Sequence, residues 1–514
     1  MTNVLEYLEH SESKLPEKLA FSDNERSATY KEVVAASRRI GTALIRLATP
    51  RRPVAVMMEK GVRTIEAFFG IVYAGCPYSL LDPRLPASRL EQILTILDAQ
   101  VLVTDKEHEE YARSLSYNGL VIRVDRLMRG IADEDALKDI RRQSSSTDPL
   151  YINFTSGSTG VPKGVVVGHA SVIEFIDSFT EICGITRSDV IGNQAPFDFD
   201  VSVKDIYSTI SRGASMVMIP RKLFSFPKDL LDYICDREVT ALIWAVSALC
   251  IISSLRGLEY RVPEHVRKII FSGEVMPVKH LNIWRQALPR AVFFNVYGPT
   301  EITCNCTYYR IERNFEPGEA LPIGHAFPGE RVFLLDEDSR LITSKTPGIH
   351  GEICVGGTCL ALGYYNNPEQ TALSFIQNPL DCRFRDIVYK TGDLAYYQED
   401  GDLCFVSRKD FQIKHMGHRI ELGEIEAAME RVEGLERSCV LYWQEKERIY
   451  AFYQGNADRK QIVAVISEIL PSFMIPNVFR RLDCLPVTAN GKIDRKTLQN
   501  TYFTENAASG KQGR

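Results

Sequence analysis

The chain has 514 residues, 45% of them hydrophobic and 25% charged, with a formal net charge of −5. That length allows two or more domains with large cores, and the composition is that of an ordinary globular protein. The acidic balance argues against a nucleic-acid partner; the polar start MTNVLEYLEH and the lack of a long apolar run argue against a signal peptide or membrane insertion. The twelve cysteines form no CxxC pairs, which suits reduced thiols in a cytoplasm and no disulfide framework. Cys304 and Cys306 are close, but no second pair or histidine cluster accompanies them, and the nine histidines have no ligand spacing.

In chain order, helical spacing of apolar residues predicts a helix over 29–44, and a short apolar run predicts a strand over 53–58. A helix over 64–74 ends at Gly75, and 101–104 reads as a strand. The run 151–154 reads as the end of a buried strand. Further strands are expected over 214–220, 241–245 and 268–272, with a helix over 227–237. This alternation points to α/β architecture with largely parallel sheets. From 329 to 406 glycines recur between short alternating runs such as 331–335 and 352–355, which predicts a β-rich subdomain. Beyond Lys409 and Asp410 comes an acidic helix starting near Glu421, with Leu422, Ile425, Met429 and Val432 on one face. Strands over 438–443 and 448–454 and a helix over 460–470, stopped by Pro471, complete a small α+β domain. The expected division is therefore 1–408 and 409–514, with a polar, disordered tail from Glu505.

The stretch YINFTSGSTGVPKGVVVGH at 151–169 carries the strongest chemical signal. Thr155, Ser156, Gly157, Ser158, Thr159 and Gly160 are six small residues whose backbone N–H groups and hydroxyls can converge on one anion. Lys163 supplies charge for phosphate oxygens. It lies between Pro162 and Gly164, so this is not the Gly-Lys-Ser/Thr loop that opens a helix. A plain surface loop is the alternative reading.

FFNVYGPTE (293–301) places Tyr297 at a strand end before a Gly298-Pro299 turn. Tyr297 can stack on a purine, Asn295 can bond its edge, Thr300 follows the turn, and Glu301 can hold Mg²⁺ through oxygen. A strand followed by a β-turn explains the same residues. FSGEVMP (271–277) is another strand-to-glycine exit suited to pack against a base, with Gly273, Glu274 and Val275 at its tip. In YKTGDL (389–394), Asp393 follows Thr-Gly and is placed either to accept ribose hydroxyls or to cap a turn. NGKIDR (490–495) holds Lys492 at a tight turn, where a lysine is ordinarily a solvated charge.

Taken together, these stretches resemble the adenylate-forming superfamily: amino-acid adenylation domains, acyl-CoA synthetases and luciferases. The resemblance extends over nearly the whole chain. It also includes GCPYSLLDPRLPASRL (75–90), FDFDVSV (197–203), GEICVGG with LGYYNNPEQT (351–371) and SRKDFQIKHMGHRIELGEIE (407–426). Within the superfamily the chain looks most like freestanding amino-acid adenylation enzymes, and FSGEVMP and RKDFQIKHMGHRIELGEIE look like D-alanine–carrier-protein ligases.

The resemblance implies a large N-terminal domain of stacked mixed and parallel sheets with helices, and a small mobile C-terminal domain hinged at Asp410. It implies adenylation of an amino acid by Mg·ATP, then transfer to the phosphopantetheine thiol of a separate carrier protein, by a monomer. Thr155–Gly160 and Lys163 would hold pyrophosphate. Lys492 would bridge substrate carboxylate and α-phosphate. Asp393 would bind ribose, Arg408 ribose or phosphate, and Glu301 the metal. Gly417 and its neighbours would line the thiol tunnel.

Asp200 stands where amino-acid-activating relatives pair an aspartate with the substrate ammonium. Val201, Lys204, Ser272, Val296 and Cys304 complete the implied side-chain pocket. Small residues there favour D-alanine or another small or polar amino acid, and Lys204 leaves an acidic side chain open. The chain departs from the family at Ser407-Arg408, where Gly-Arg is usual, and at Ser272, where D-alanine ligases commonly carry cysteine. Two readings compete: an acyl- or aryl-CoA synthetase, and a non-catalytic nucleotide-binding scaffold.

Overall fold

The computed structural model describes residues 1–157, 161–316, 318–409, 411–487 and 493–503. The expected hinge Asp410, Ser158, Thr159 and Gly160 of the anion loop, Lys492 with its turn, and the tail from 504 lie outside the described residues. Two compact units form. The larger comprises Met1–Pro83, Leu94–Phe154 and Gly164–Lys409. The smaller comprises Arg84–Ile93, Thr155–Lys163 and Asp410–Arg514, so it takes in two segments from the 1–408 stretch as well as the C-terminal region.

In the larger unit, the helix Tyr30–Leu44 starts with Thr29 and Glu32 exchanging side-chain and backbone hydrogen bonds at its N-terminus. Its stripe of Val33, Val34, Ile40 and Leu44 is fully or almost fully buried. A nine-stranded sheet runs Lys268–Ser272, Ala241–Ala245, Val190–Asn193 and Ser215–Met218 as parallel neighbours. A seven-stranded sheet is built around Val54–Met57, with Tyr78–Leu80 and Val101–Thr104 parallel on its two sides. Strands 101–104, 241–245 and 268–272 have the bounds expected from sequence. Continuous apolar runs of this kind are what a strand covered on both faces requires.

One apolar core joins the two sheets. Val54 and Val56 from one and Ile191 and Met216 from the other share a cluster with Phe175, Phe179 and Tyr207. The last three lie on the helices His169–Ile182 and Val201–Arg212.

Residues Glu330–Leu335, Gly351–Gly357, Ile387–Tyr397 and Leu403–Arg408 form the body of a six-stranded antiparallel sheet, the expected β-rich region. Here Thr391-Gly392-Asp393, which suits a turn in sequence, lies inside the eleven-residue strand Ile387–Tyr397. The register against Gly351–Gly357 slips there, and Gly392 takes φ 74°. A bulge of this kind bends the strand and re-aims a side chain, and glycine adopts positive φ without a Cβ penalty.

In the smaller unit, Gln412–His415 and His418–Glu421 make a hairpin whose two turn residues, Met416 and Gly417, both have positive φ. That is the turn that matches the natural twist of paired strands. The helix Leu422–Met429 follows, burying Leu422, Ile425, Met429 and, just beyond it, Val432. Strands Leu435–Trp443, Arg448–Gly455 and Val478–Arg481 form its sheet. Arg89 reaches Glu424 at 2.6 Å with both side chains almost fully buried, and Ser156 Oγ donates to Arg419 O at 2.8 Å. These contacts tie the segments 84–93 and 155–163 to the C-terminal part of this unit.

Candidate active site

The larger unit gathers two groups of sequence-expected residues. The first lies where strands of the nine-stranded sheet end beside the helix Val201–Arg212. Lys268–Ser272 and Val292–Tyr297 are parallel neighbours with Phe271 opposite Asn295, so Ser272 and Val296 follow side by side. Asp200 occupies the N-terminal cap of the helix, half-buried, with Val201 next to it. Cys304 Sγ donates to Asp200 O at 3.0 Å. Lys204, one turn further on, is 1% exposed. Its ammonium donates to Ser272 Oγ at 3.1 Å and to Asn305 Oδ1 at 2.7 Å. These contacts connect Asp200, Lys204, Ser272 and Cys304, and strand register sets Val296 beside them.

The segment after the Gly298-Pro299 turn is held by sterics. Thr303 and Cys304 both have positive φ. A Cβ on Gly298 would lie 2.5 Å from Asn305 Cα and 2.7 Å from Cys304 O. Only glycine lets this backbone approach so closely, and the approach brings Asn305 to Lys204.

Burial dominates the electrostatics. It pulls the Lys204 ammonium below its ordinary range and pushes the Cys304 thiol well above its own. Asp205, the next residue, is fully buried and is pushed from its ordinary 3.8 up to about 7 by the same cause. Its Oδ2 accepts from Asn193 Nδ2 at 2.8 Å. The folded state therefore keeps this proton to higher pH than the unfolded chain does. The stabilisation is complete below about pH 4 and is lost as pH rises through about 7. Asp205→Asn, which cannot ionise, is expected to flatten the fall in melting temperature between pH 4 and 7; melts of both proteins across that range test it.

The second group surrounds Asp393. Strand pairing sets Asp393 directly opposite Arg408, and Arg408 Nη1 donates to Asp393 Oδ1 at 2.6 Å. Tyr297 Oη donates to Asp393 Oδ2. Burial, reinforced by the Asp393 charge, raises the Tyr297 hydroxyl far above its usual range and keeps it a donor. The bulge that aims Asp393 is fixed by Gly392 N donating to Glu352 Oε1 at 3.2 Å and Asp393 N to Thr391 Oγ1 at 3.0 Å. Each carboxylate oxygen has a further lone pair for a ligand hydroxyl.

Glu301, in the short helix Thr300–Ile302, is almost fully buried and accepts from Tyr364 Oη at 2.8 Å. Asn295 donates its amide to Pro322 O at 2.7 Å. Gly273 takes φ 97° with open space around it. Glu274 accepts from Ser247 N at 3.1 Å, and Val275 is exposed. Thr155, Ser156, Gly157, Lys163 and Gly417 belong to the smaller unit. A Cβ on Gly157 would meet Val161 O at 2.0 Å, so only glycine fits at that position.

Sequence reasoning passed over Asn305 and Tyr364. Asn305 is a polar residue between Cys304 and Cys306 just after the Glu301 motif, and Tyr364 sits inside LGYYNNPEQT. Only folding shows what these two side chains touch: Lys204 for Asn305 and Glu301 for Tyr364. None of the twelve cysteines is in a disulfide, and all twelve are among the described residues. Among the described residues no helix is long and apolar enough to cross a membrane.

The family model for AMP-binding enzymes matches residues 8–365. The chain belongs to the AMP-binding enzyme family. Zwittermicin A synthase ZmaJ of Bacillus cereus is 32% identical to this AMP-binding enzyme over 511 residues, covering 97% of this chain and 94% of its own. Tyrocidine synthase 1 of Brevibacillus parabrevis is 29% identical over 98% of this chain, which spans only 45% of that longer protein. The crystal structure of IdnL1 superposes with a TM-score of 0.79 at 27% identity, covering 94% of this chain and 99% of that one. Holo-PA1221, described as a nonribosomal peptide synthetase protein with adenylation and carrier domains, gives a TM-score of 0.82 at 24% identity over 97% of this chain and 84% of its own, and shows the shared fold. This AMP-binding enzyme is thus an ATP-dependent ligase of the adenylate-forming superfamily, of the amino-acid adenylation type.

Proposed function

We propose that this enzyme is an amino-acid–carrier-protein ligase. The substrate carboxylate attacks the α-phosphate of ATP, and pyrophosphate leaves, giving aminoacyl-AMP. The thiol of a phosphopantetheinylated carrier protein then attacks the acyl carbon, and AMP leaves. Phosphoryl chemistry of this kind depends on positioning and charge neutralisation more than on a protein nucleophile.

The observation that carries the amino-acid reading is Asp200 at the start of the helix Val201–Arg212, beside the ends of strands Lys268–Ser272 and Val292–Tyr297, with no capping hydrogen bond from its side chain and its backbone held by the Cys304 thiol. A half-buried carboxylate at this position is suited to a cationic group. Asp393, with Arg408 and Tyr297, is the ribose site in this reading. The anion loop with Lys163 holds pyrophosphate, and Lys492 contacts the substrate carboxylate and α-phosphate.

Glu301 is the residue that would hold Mg²⁺. Among the described residues there is no group of three or more His, Cys, Asp or Glu that could cage a metal. One buried carboxylate fits an ion that arrives on the triphosphate, since Mg²⁺ is commonly held by one or two carboxylates plus phosphate oxygens. Such an ion neutralises charge on the phosphates during displacement.

The resemblance favours D-alanine or another small or polar amino acid, with the carrier as a separate chain. ATP–pyrophosphate exchange across a panel of amino acids and simple acyl or aryl acids tests the reading. Exchange driven by amino acids and loading of a carrier thiol support it. Exchange driven only by acids lacking an amine, with coenzyme A as acceptor, would establish an acyl- or aryl-CoA synthetase instead.

A further inference from the structure

We infer that Glu330 is a positioning residue for Glu301, acting through the buried segment from Cys359 to Tyr364. The inference rests on the reading of Glu301 as the carboxylate that holds Mg²⁺, and deepens it. Glu301 lies in a helix of three residues, Thr300–Ile302, followed by Thr303 and Cys304 at positive φ. So short a turn has little stability of its own, and the groups around it set where the carboxylate stands. The segment from Cys359 to Tyr364 supplies two of them. Ala361 N donates to Glu301 O at 2.8 Å, and Tyr364 Oη donates to Glu301 Oε1 at 2.8 Å. One segment therefore grips Glu301 by both its backbone and its side chain.

That segment links the strands Gly351–Gly357 and Gly363–Tyr364, and side chains hold it in place. Glu330 Oε1 accepts from Cys359 N at 3.0 Å. Thr303 Oγ1 donates to Cys359 O at 2.7 Å. Ser171 Oγ, from the helix His169–Ile182, donates to Leu360 O at 3.0 Å. Glu330 is the costly member of this set, because it puts a carboxyl in the interior: Glu330 is 8% exposed and Cys359 1%. Arg331 beside it gives its guanidinium to Asp386 at 2.9 Å. Burial, helped by the nearby Glu174 charge and opposed by the contacts with Cys359, pushes the Glu330 carboxyl from 4.5 up to about 7. Near neutral pH its uncharged form is therefore well populated.

The carboxyl gives the buried Cys359 N–H its acceptor, and a buried donor without one is expensive. The neighbouring strand is shaped to admit it. Gly357 pairs with Glu330, and a Cβ there would lie 2.6 Å from Glu330 Oε2 and 2.5 Å from Gly329 O. Glycine at 357 thus leaves room for the carboxyl to turn inward to Cys359. Without that carboxyl the Cys359 N–H loses its acceptor, the backbone from Cys359 to Ala361 shifts, and both hydrogen bonds to Glu301 loosen. Groups that orient a metal-holding side chain typically contribute about 10- to 100-fold to metal affinity.

The test is calorimetric binding of ATP to the purified chain, without amino acid so that no adenylate forms, once with Mg²⁺ and once with EDTA. The ratio of the two affinities is the metal's contribution. In Glu330→Ala that contribution is expected to fall roughly 10-fold, with the affinity for metal-free ATP unchanged. Glu330→Gln keeps an acceptor for Cys359 N and imitates the uncharged carboxyl, so it is expected to bind as the unaltered enzyme does. No loss in Glu330→Ala, equal losses with and without Mg²⁺, or the same loss in Glu330→Gln each overturn the inference. If Glu330→Ala does not fold, Ser171→Ala decides, since it releases Leu360 O in the same segment: a reduced metal contribution supports the inference and an unchanged one overturns it. Glu301→Gln keeps the two readings apart. If it leaves the metal's contribution intact, the metal-holding reading of Glu301 fails and this inference with it. If it removes that contribution while Glu330→Ala does not reduce it, only this inference fails.

Discussion

Asp200→Asn is expected to raise KM for the amino acid by roughly 30-fold to several thousand-fold while changing KM for ATP little. The range corresponds to about 2–5 kcal/mol, the usual cost of truncating one partner of a buried charged pair. Asparagine preserves the size of the side chain, and the backbone carbonyl that accepts from Cys304 Sγ is retained. The change therefore isolates the negative charge. Steady-state exchange kinetics with each substrate varied in turn measure it. Equal losses for both substrates would point to a general disturbance of the site, and efficient turnover of des-amino acids by the unaltered enzyme would remove Asp200 from the role proposed here.

Lys492→Ala is expected to abolish adenylate formation, read as pyrophosphate exchange, while largely sparing thioester formation from supplied aminoacyl-adenylate. The lysine contacts the substrate carboxylate and α-phosphate only in the first half-reaction in the proposed mechanism. In that proposed mechanism the thiol needs the same space in the second, and a turn of the C-terminal region about Asp410 would free it. Asp410→Pro, which fixes φ, should impair carrier loading more than exchange. A bulky residue at Gly417 should do likewise, since in the proposed mechanism that position lines the path of the thiol. Measuring exchange and carrier loading on each variant separates the steps. Equal impairment of both by Lys492→Ala would rule out domain alternation here.

The elements that were legible in sequence are those set by short-range physics. Residues 101–104, 241–245 and 268–272 are apolar runs too short for helices, and each became a buried strand at those bounds. The helix Tyr30–Leu44 carried both its periodic stripe and its capping pair in the letters. The adenylate-forming character was legible too, because phosphate and ribose chemistry requires particular residue types in a fixed order. Tertiary structure alone decided the rest. YKTGDL suits a turn locally, yet pairing on both sides kept it in a strand and turned the Thr-Gly-Asp signal into a bulge. Helical spacing set Lys204 on the same face as Asp200 but could not say whether that face met solvent or protein. Packing against Ser272 and Asn305 buried it, and those partners lie 68 and 101 residues away in the chain. No local propensity encodes such a contact, because it exists only once the strand ends and the loop after Gly298 have been brought together.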